Sequence, residues 1–170
     1  QFTGIKTAYE KGYDWIWCLD TDVVPNFNAL EMFLNTSSIS EQKIGFLTST
    51  VYYPDGNLCF INLPYTRDLH PINQSINENN SISILSASFG SVLFSRDVIK
   101  EVGYPIKDFF IWGDDVEYTF RMIESKFLGY LITSSKATHF APHNYANPFI
   151  EMDYSDSKSF YCVRNTVYII

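Results

Sequence analysis

Five apolar residues, Trp15-Ile-Trp-Cys-Leu19, run between two aspartates, Asp14 and Asp20. A run this short and this apolar reads as a buried strand. An acid at its carboxyl end then has to be compensated by hydrogen bonds or by a cation. Around it the periodicity keeps switching. Phe2, Ile5 and Tyr9 recur at helical spacing and stop at Gly12. Pro25 and Asn26 are expected to open a second helix over 27–34, with Asn26 as its cap. Residues 44–50 are apolar and β-branched, and the Pro54-Asp-Gly-Asn57 turn between aromatic flanks predicts a hairpin within 51–65. After a polar, Asn-rich loop over 67–81, extended segments are expected at 82–86 and 91–95, around Gly90. A helix over 96–102 closes at Gly103, a second starts beyond Gly113, and a strand over 127–133 leads to His139. Residues 157–170 are amphipathic and read as a helix with Phe160, Tyr161 and Tyr168 inward; Trp15, Trp17 and the Phe109-Phe110 pair read as core. Strands alternating with helices predict an α/β sandwich. With no internal repeat and no linker, residues 1–170 form a single domain.

Composition narrows the class. Nearly half the residues are apolar and many are aromatic, which excludes disorder. No apolar run reaches the roughly 18 residues of a membrane span, and the first residues carry no signal-peptide pattern. A net charge of −7 argues against nucleic acid and anionic membrane as unaided partners; a diphosphate still fits through a divalent metal. Cys18, Cys59 and Cys162 are scattered and odd in number, so a reducing, cytoplasmic setting is expected.

Three signals carry chemistry. Asp20-Thr21-Asp22 places two carboxylates at a strand end, where they can reach one hard cation or its water shell; the plainer alternative is a turn with Asp20 as a cap. Trp112-Gly-Asp-Asp-Val-Glu-Tyr118 starts a helix with Asp114 and Asp115 in its first turn. Acids there are favoured by the helix dipole alone, by about 0.3–1 kcal/mol. Gly113 nonetheless permits a tight backbone approach, Trp112 offers a stacking face, and a carboxylate so placed can serve as general base. His139 is a candidate ligand beside carboxylates for a manganese-like ion, in competition with His70 and His143.

Taken in order, these blocks resemble family 2 glycosyltransferases, nearest the rhamnosyltransferase and galactofuranosyltransferase branch. The resemblance runs through Gly4-Ile-Lys-Thr-Ala-Tyr-Glu, Trp15-Ile-Trp-Cys-Leu-Asp-Thr-Asp22 and Ser88-Phe-Gly-Ser-Val-Leu-Phe-Ser-Arg-Asp-Val-Ile99. It continues through Gly103-Tyr-Pro, Asp108-Phe-Phe-Ile-Trp-Gly-Asp-Asp-Val-Glu-Tyr118, His139 and Tyr161-Cys-Val-Arg-Asn165. It implies a GT-A fold, a mixed sheet flanked by helices, with the front strands of the domain lying before residue 1. It also implies a UDP- or dTDP-sugar donor, a glycan or lipid-linked glycan acceptor, and inversion at the anomeric carbon. Under it, Asp20 and Asp22 form the metal-diphosphate motif with Mn²⁺ or Mg²⁺, and Asp20 also contacts the donor. His139 is the further metal ligand and Asp115 the catalytic base, while Trp112, Gly113, Asp114 and Glu117 shape the acceptor pocket. The setting it implies is cytoplasmic, with peripheral attachment at the inner membrane face.

Two other classes share parts of this pattern. A haloacid-dehalogenase-type phosphotransferase would use Asp20 as nucleophile and Asp22 as general acid; it leaves Trp112, His139 and Arg164-Asn165 without a task. A non-catalytic carbohydrate- or nucleotide-binding module would need neither acid pair.

Overall fold

The computed structural model describes residues 1–35, 43–66, 80–144 and 157–169. Seven strands form one mixed sheet: β1 (Trp15–Leu19), β2 (Val23–Pro25), β3 (Ile44–Tyr52), β4 (Tyr65–Thr66), β5 (Ser81–Ser86), β6 (Ser91–Ser95) and β7 (Leu128–His139). Their order is β1-β6-β3-β7-β5-β4. β3 runs parallel to β7; β1 with β6, β3 with β6, and β5 with β7 are antiparallel. β2 also pairs antiparallel with β7, Val23 opposite His139. Since β3 occupies one edge of β7, β2 and β5 follow one another along the other edge.

The helices are α1 (Phe2–Glu10), α2 (Ala29–Leu34), α3 (Arg96–Val102), α4 (Asp114–Glu124) and α5 (Ser157–Ile169). Strand alternation decides which face each covers. Ile16, Cys18, Phe46, Phe94 and Leu131 point into one core with Ile5 of α1, Val98 and Ile99 of α3, and Tyr118 and Met122 of α4. Their neighbours Trp17, Leu47, Leu93 and Ile132 point the opposite way, onto Phe33 of α2. β3 is covered on both faces, and its seven central residues are all buried. The result is the expected α/β sandwich around a mixed sheet. All three cysteines are buried and free.

Several local expectations give way to tertiary pairing. The second helix begins at Ala29, with Asn28 at the cap position, because 23–25 is taken by β7; Pro25, lacking an N–H, fits a peripheral strand. β7 runs through His139, so the histidine ends a strand where the sequence puts it just beyond one. The Tyr53–Asn57 turn closes with hydrogen bonds, but only one bridge, Tyr52 to Leu58, follows it. β5 and β6 flank Gly90 without pairing with each other. In α5 the buried residues are Ser159, Cys162 and Asn165, while Phe160 and Tyr168 are exposed. Phe109 is buried as expected, but Phe110 is 69% exposed and Trp15 lies near the surface. His70 falls outside the described residues.

Candidate functional site

β1 ends at Leu19, and a turn closed by Val23 N–H donating to the Asp20 carbonyl (3.1 Å) leads into β2. Because Val23 sits opposite His139 and Phe140 N–H donates to the Asp22 carbonyl, this pairing carries the acidic turn to the end of β7. There Asp22 Oδ2 lies 3.3 Å from His139 Nε2. His139 is only 7% exposed, and its other ring nitrogen, Nδ1, is 2.6 Å from Asn62 Oδ1. An amide oxygen can only accept, so Nδ1 carries the hydrogen. Nε2 then meets Asp22 either as a second N–H or as a lone pair; in the second case two acceptors face each other, an arrangement that a cation bridges.

Asn62 is itself anchored, its Nδ2 donating to Ser88 Oγ at 2.8 Å. A Cβ on Gly90 would come within 2.3 Å of that nitrogen, so a larger residue there would have to displace the Asn62 carboxamide.

The expected set of Asp20, Asp22 and His139 is therefore a pair with Asp20 beside it. Among the described residues, no three His, Cys, Asp or Glu side chains lie close enough to hold a metal ion. The reason is the turn: it brings the two carboxylates to the same end of the sheet without converging them on one point. A carboxylate and an imidazole suit a manganese-like ion that takes its remaining ligands from water and a substrate's phosphates. The 3.3 Å spacing of Asp22 and His139 is close to the ~3 Å between neighbouring ligands of such ions. Asp20 accepts from Gln1 Nε2 at 3.3 Å. Its carboxyl is pushed up from the usual value, first by burial and then by Asp22, against the opposing pull of His139.

The second half of the site is the start of α4. Gly113 (φ 85°) is its cap, and Asp114 and Asp115 form the first turn. Val116 N–H donates to Asp115 Oδ1 (2.8 Å). Asp115 is half-buried, and its carboxyl pKa is pushed up to about 7, by burial first, then by the charge of Asp114, and more weakly by Asp20. Asp114 is raised as well, mainly by burial, with Asp20 a smaller cause. Asp20 thus lies within electrostatic reach of both acids. A cleft lined by Phe2, Lys107, Phe110 and Asp114 also includes Gln1, which bonds to Asp20.

Glu117 has a different neighbour from the one the sequence suggests. It is 8% exposed, and its oxygens accept from Arg121 Nε (2.6 Å) and Nη2 (3.0 Å). Arg121 also donates to the carbonyls of Val102 and Tyr104. One turn of helix brings this pair together, and it ties α4 to the end of α3, so the carboxylate assigned to the acceptor pocket is already engaged. Arg164 donates to the Asp108 carbonyl and to Asn165 Oδ1 and lies over the Tyr161 ring.

Asn62 and Asn165 escape the sequence altogether as single residues. An isolated asparagine has no spacing signal, and Asn165 stands out only as the end of the Tyr161–Asn165 block.

The mixed sheet with helices packed on it has a GT-A-like fold, as its likeness to a solved glycosyltransferase shows. No protein-family model matches the chain, and no curated protein sequence matches it. Among solved structures it is similar to the crystal structure of GalNAc-T7 with UDP, GalNAc and Mn²⁺, with a TM-score of 0.63 and 12% identity over 98% of this chain and 34% of that one. It is also similar to A197 from STIV, with a TM-score of 0.52 and 22% identity over 82% of this chain and 64% of that one. The chain thus spans about a third of the GalNAc-T7 chain and just under two thirds of A197. At these identities the likeness is one of fold. No described helix is long and apolar enough to cross a membrane.

Proposed function

We propose that the protein is a metal-assisted glycosyltransferase that moves a sugar from a UDP- or dTDP-linked donor to a glycan or lipid-linked glycan hydroxyl, with inversion. The observation that carries this reading is the Asp22–His139 contact, buttressed by Asn62, on a GT-A-like sheet whose Asp20 lies in electrostatic reach of Asp115. The UDP and Mn²⁺ of the GalNAc-T7 structure support a nucleotide-sugar donor and a divalent ion. The motif blocks support the rhamnosyltransferase and galactofuranosyltransferase branch, and with it a setting at the cytoplasmic face of a membrane.

In this scheme Asp22 and His139 would hold Mn²⁺ or Mg²⁺, with Asp20 adjacent to the donor diphosphate. When bound, the ion neutralises negative charge on the departing diphosphate. Asp115 accepts the proton of the acceptor hydroxyl as that oxygen attacks the anomeric carbon from the face opposite the diphosphate. The new C–O bond forms, the bond to the diphosphate oxygen breaks, and its electron pair leaves with the diphosphate. A carboxyl titrating near 7 suits a base working near neutrality. Trp112, Gly113 and Asp114 border the acceptor; Glu117 supports the helix through Arg121.

The test is transfer by the intact protein with panels of UDP- and dTDP-sugars, Mn²⁺ and glycan acceptors, with the product anomer read by NMR. Product with inverted configuration that disappears in Asp115→Asn supports the proposal. Retained configuration removes the inverting part; sugar binding with no transfer from any donor favours a binding module. The phosphotransferase alternative makes a separate prediction, a fluoroberyllate adduct on Asp20, and it has no use for the buttressed histidine.

A further inference from the structure

The chain from Phe109 to Gly113 reaches Asp114 and Asp115 by an unusual route. Phe110 has φ 62° and ψ −62°, and Ile111 N–H donates to the Phe109 carbonyl at 2.7 Å. This is a γ-turn of the strained hand. Trp112 follows at φ 60° and Gly113 at φ 85°. Bulky residues are strained in that region, and such backbone persists only where its surroundings hold it.

What holds it is one side chain of α5. Asn165 is 0% exposed, and its Nδ2 donates to the carbonyls of Phe109 (2.9 Å), Ile111 (3.1 Å) and Trp112 (2.7 Å). Two amide hydrogens serve three carbonyls, so one at least is shared. The amide oxygen is used too, accepting from Arg164 Nε at 3.0 Å and Nη2 at 2.8 Å, while Arg164 also donates to the Asp108 carbonyl. Every polar group of Asn165's side chain is thus spent on this loop and on the arginine that grips its start. Packing continues the contact: a Cβ on Gly113 would lie 3.2 Å from Ile169 Cδ1 and 3.4 Å from Asn165 Cβ, so α5 lies directly against the glycine that begins α4.

We propose that Asn165 is a positioning residue: by binding the carbonyls of Phe109, Ile111 and Trp112, it sets the loop that aims Trp112 and the Asp114–Asp115 turn. The inference rests on the transferase reading for its catalytic consequence but not for its geometry. Asn165→Ala would leave these three carbonyls without that donor and release the strained turn. A displacement of about 1 Å in a catalytic group costs on the order of 100-fold in rate.

The experiment compares the intact protein with Asn165→Ala, with the isosteric Asn165→Asp, and with Cys162→Ala. Cys162 is buried one turn earlier in the same helix, so its loss perturbs the packing of α5 while the Asn165 amide keeps its donors. Protein labelled with 5-fluorotryptophan is followed at the Trp112 ¹⁹F resonance, assigned with Trp112→Phe, and hydrogen exchange is measured at the amides of 110–113. Both Asn165 variants are expected to shift or split that resonance and to speed those amides by tenfold or more, with Cys162→Ala unchanged in both. With an active donor and acceptor, kcat falls about 100-fold while donor KM stays within threefold. Unchanged loop signals in the Asn165 variants, equal disturbance by Cys162→Ala, or a loosened loop with full kcat would each overturn the proposal. If the wild-type protein transfers no sugar at all, the transferase reading fails, while the two loop measurements still decide whether Asn165 is the clamp.

Discussion

His139 Nε2 and Asp22 Oδ2 stand 3.3 Å apart at the end of the sheet, and the backbone that puts them there is the pairing of β2 with β7, Val23 against His139. Each residue alone is unremarkable in composition; their contact follows from register. A slip of one residue would turn His139 to the other face.

This contact predicts saturable Mn²⁺ binding, followed by electron paramagnetic resonance with and without UDP. Asp22→Ala and His139→Ala should each weaken it at least tenfold. Asn62→Ala should weaken it about 10–100-fold through the lost hold on Nδ1. Binding that ignores His139 would sever the histidine from the acidic turn.

Gly90→Ala reaches the same site from behind. Its Cβ would press on Asn62 Nδ2, a group already fixed between Ser88 and His139. The expected result is weaker Mn²⁺ binding and a lower Tm, although residue 90 bears no ligand atom. A Gly90→Ala protein with wild-type Mn²⁺ affinity would mean that Asn62 is free to shift.

Asp115 predicts two pH effects of opposite sign. As a base it must be ionised, so kcat/KM should rise with pH through about 7. Asp114→Asn, which removes the like charge beside it, should move that rise to lower pH. Stability runs the other way. The folded carboxyl, raised from 3.8 to about 7, holds its proton where the unfolded one has lost it. Folding stability therefore falls as pH climbs across that window. Urea midpoints at pH 5 and 8 should show the decline, and Asp115→Asn should flatten it.

Arg121→Ala strands the Glu117 carboxylate in a nearly buried position. A cost of about 2–3 kcal/mol is expected, seen as a lower urea midpoint at unchanged m. Double replacement with Glu117→Gln should recover part of it. A neutral effect of Arg121→Ala would show that Glu117 finds water or another partner.

How much of this was legible beforehand follows a physical line. β1, β3, β6 and α3 follow from the sequence because short-range rules decide them: an apolar run between turn residues makes a buried strand, and Ser95 caps α3 by accepting from Val98 N–H, while Gly103 (φ 79°) closes it. The Trp112–Asp115 block could be read as a helix start for the same reason. Residues 23–25, the inward face of α5 and the strand that ends on His139 were misread because long-range partners set them.

An α/β chain, its apolar strands and the acids at their ends follow from local rules, since propensity, periodicity and turn chemistry act over a few residues. What those acids meet depends on strand register and packing. Asp22 gains His139 because β2 lies against β7, and His139 gains Asn62 beside the small Gly90. A strained loop survives because α5, some fifty residues further along, supplies one buried amide. Such contacts join residues far apart in the chain, and no local pattern encodes the register that brings them together.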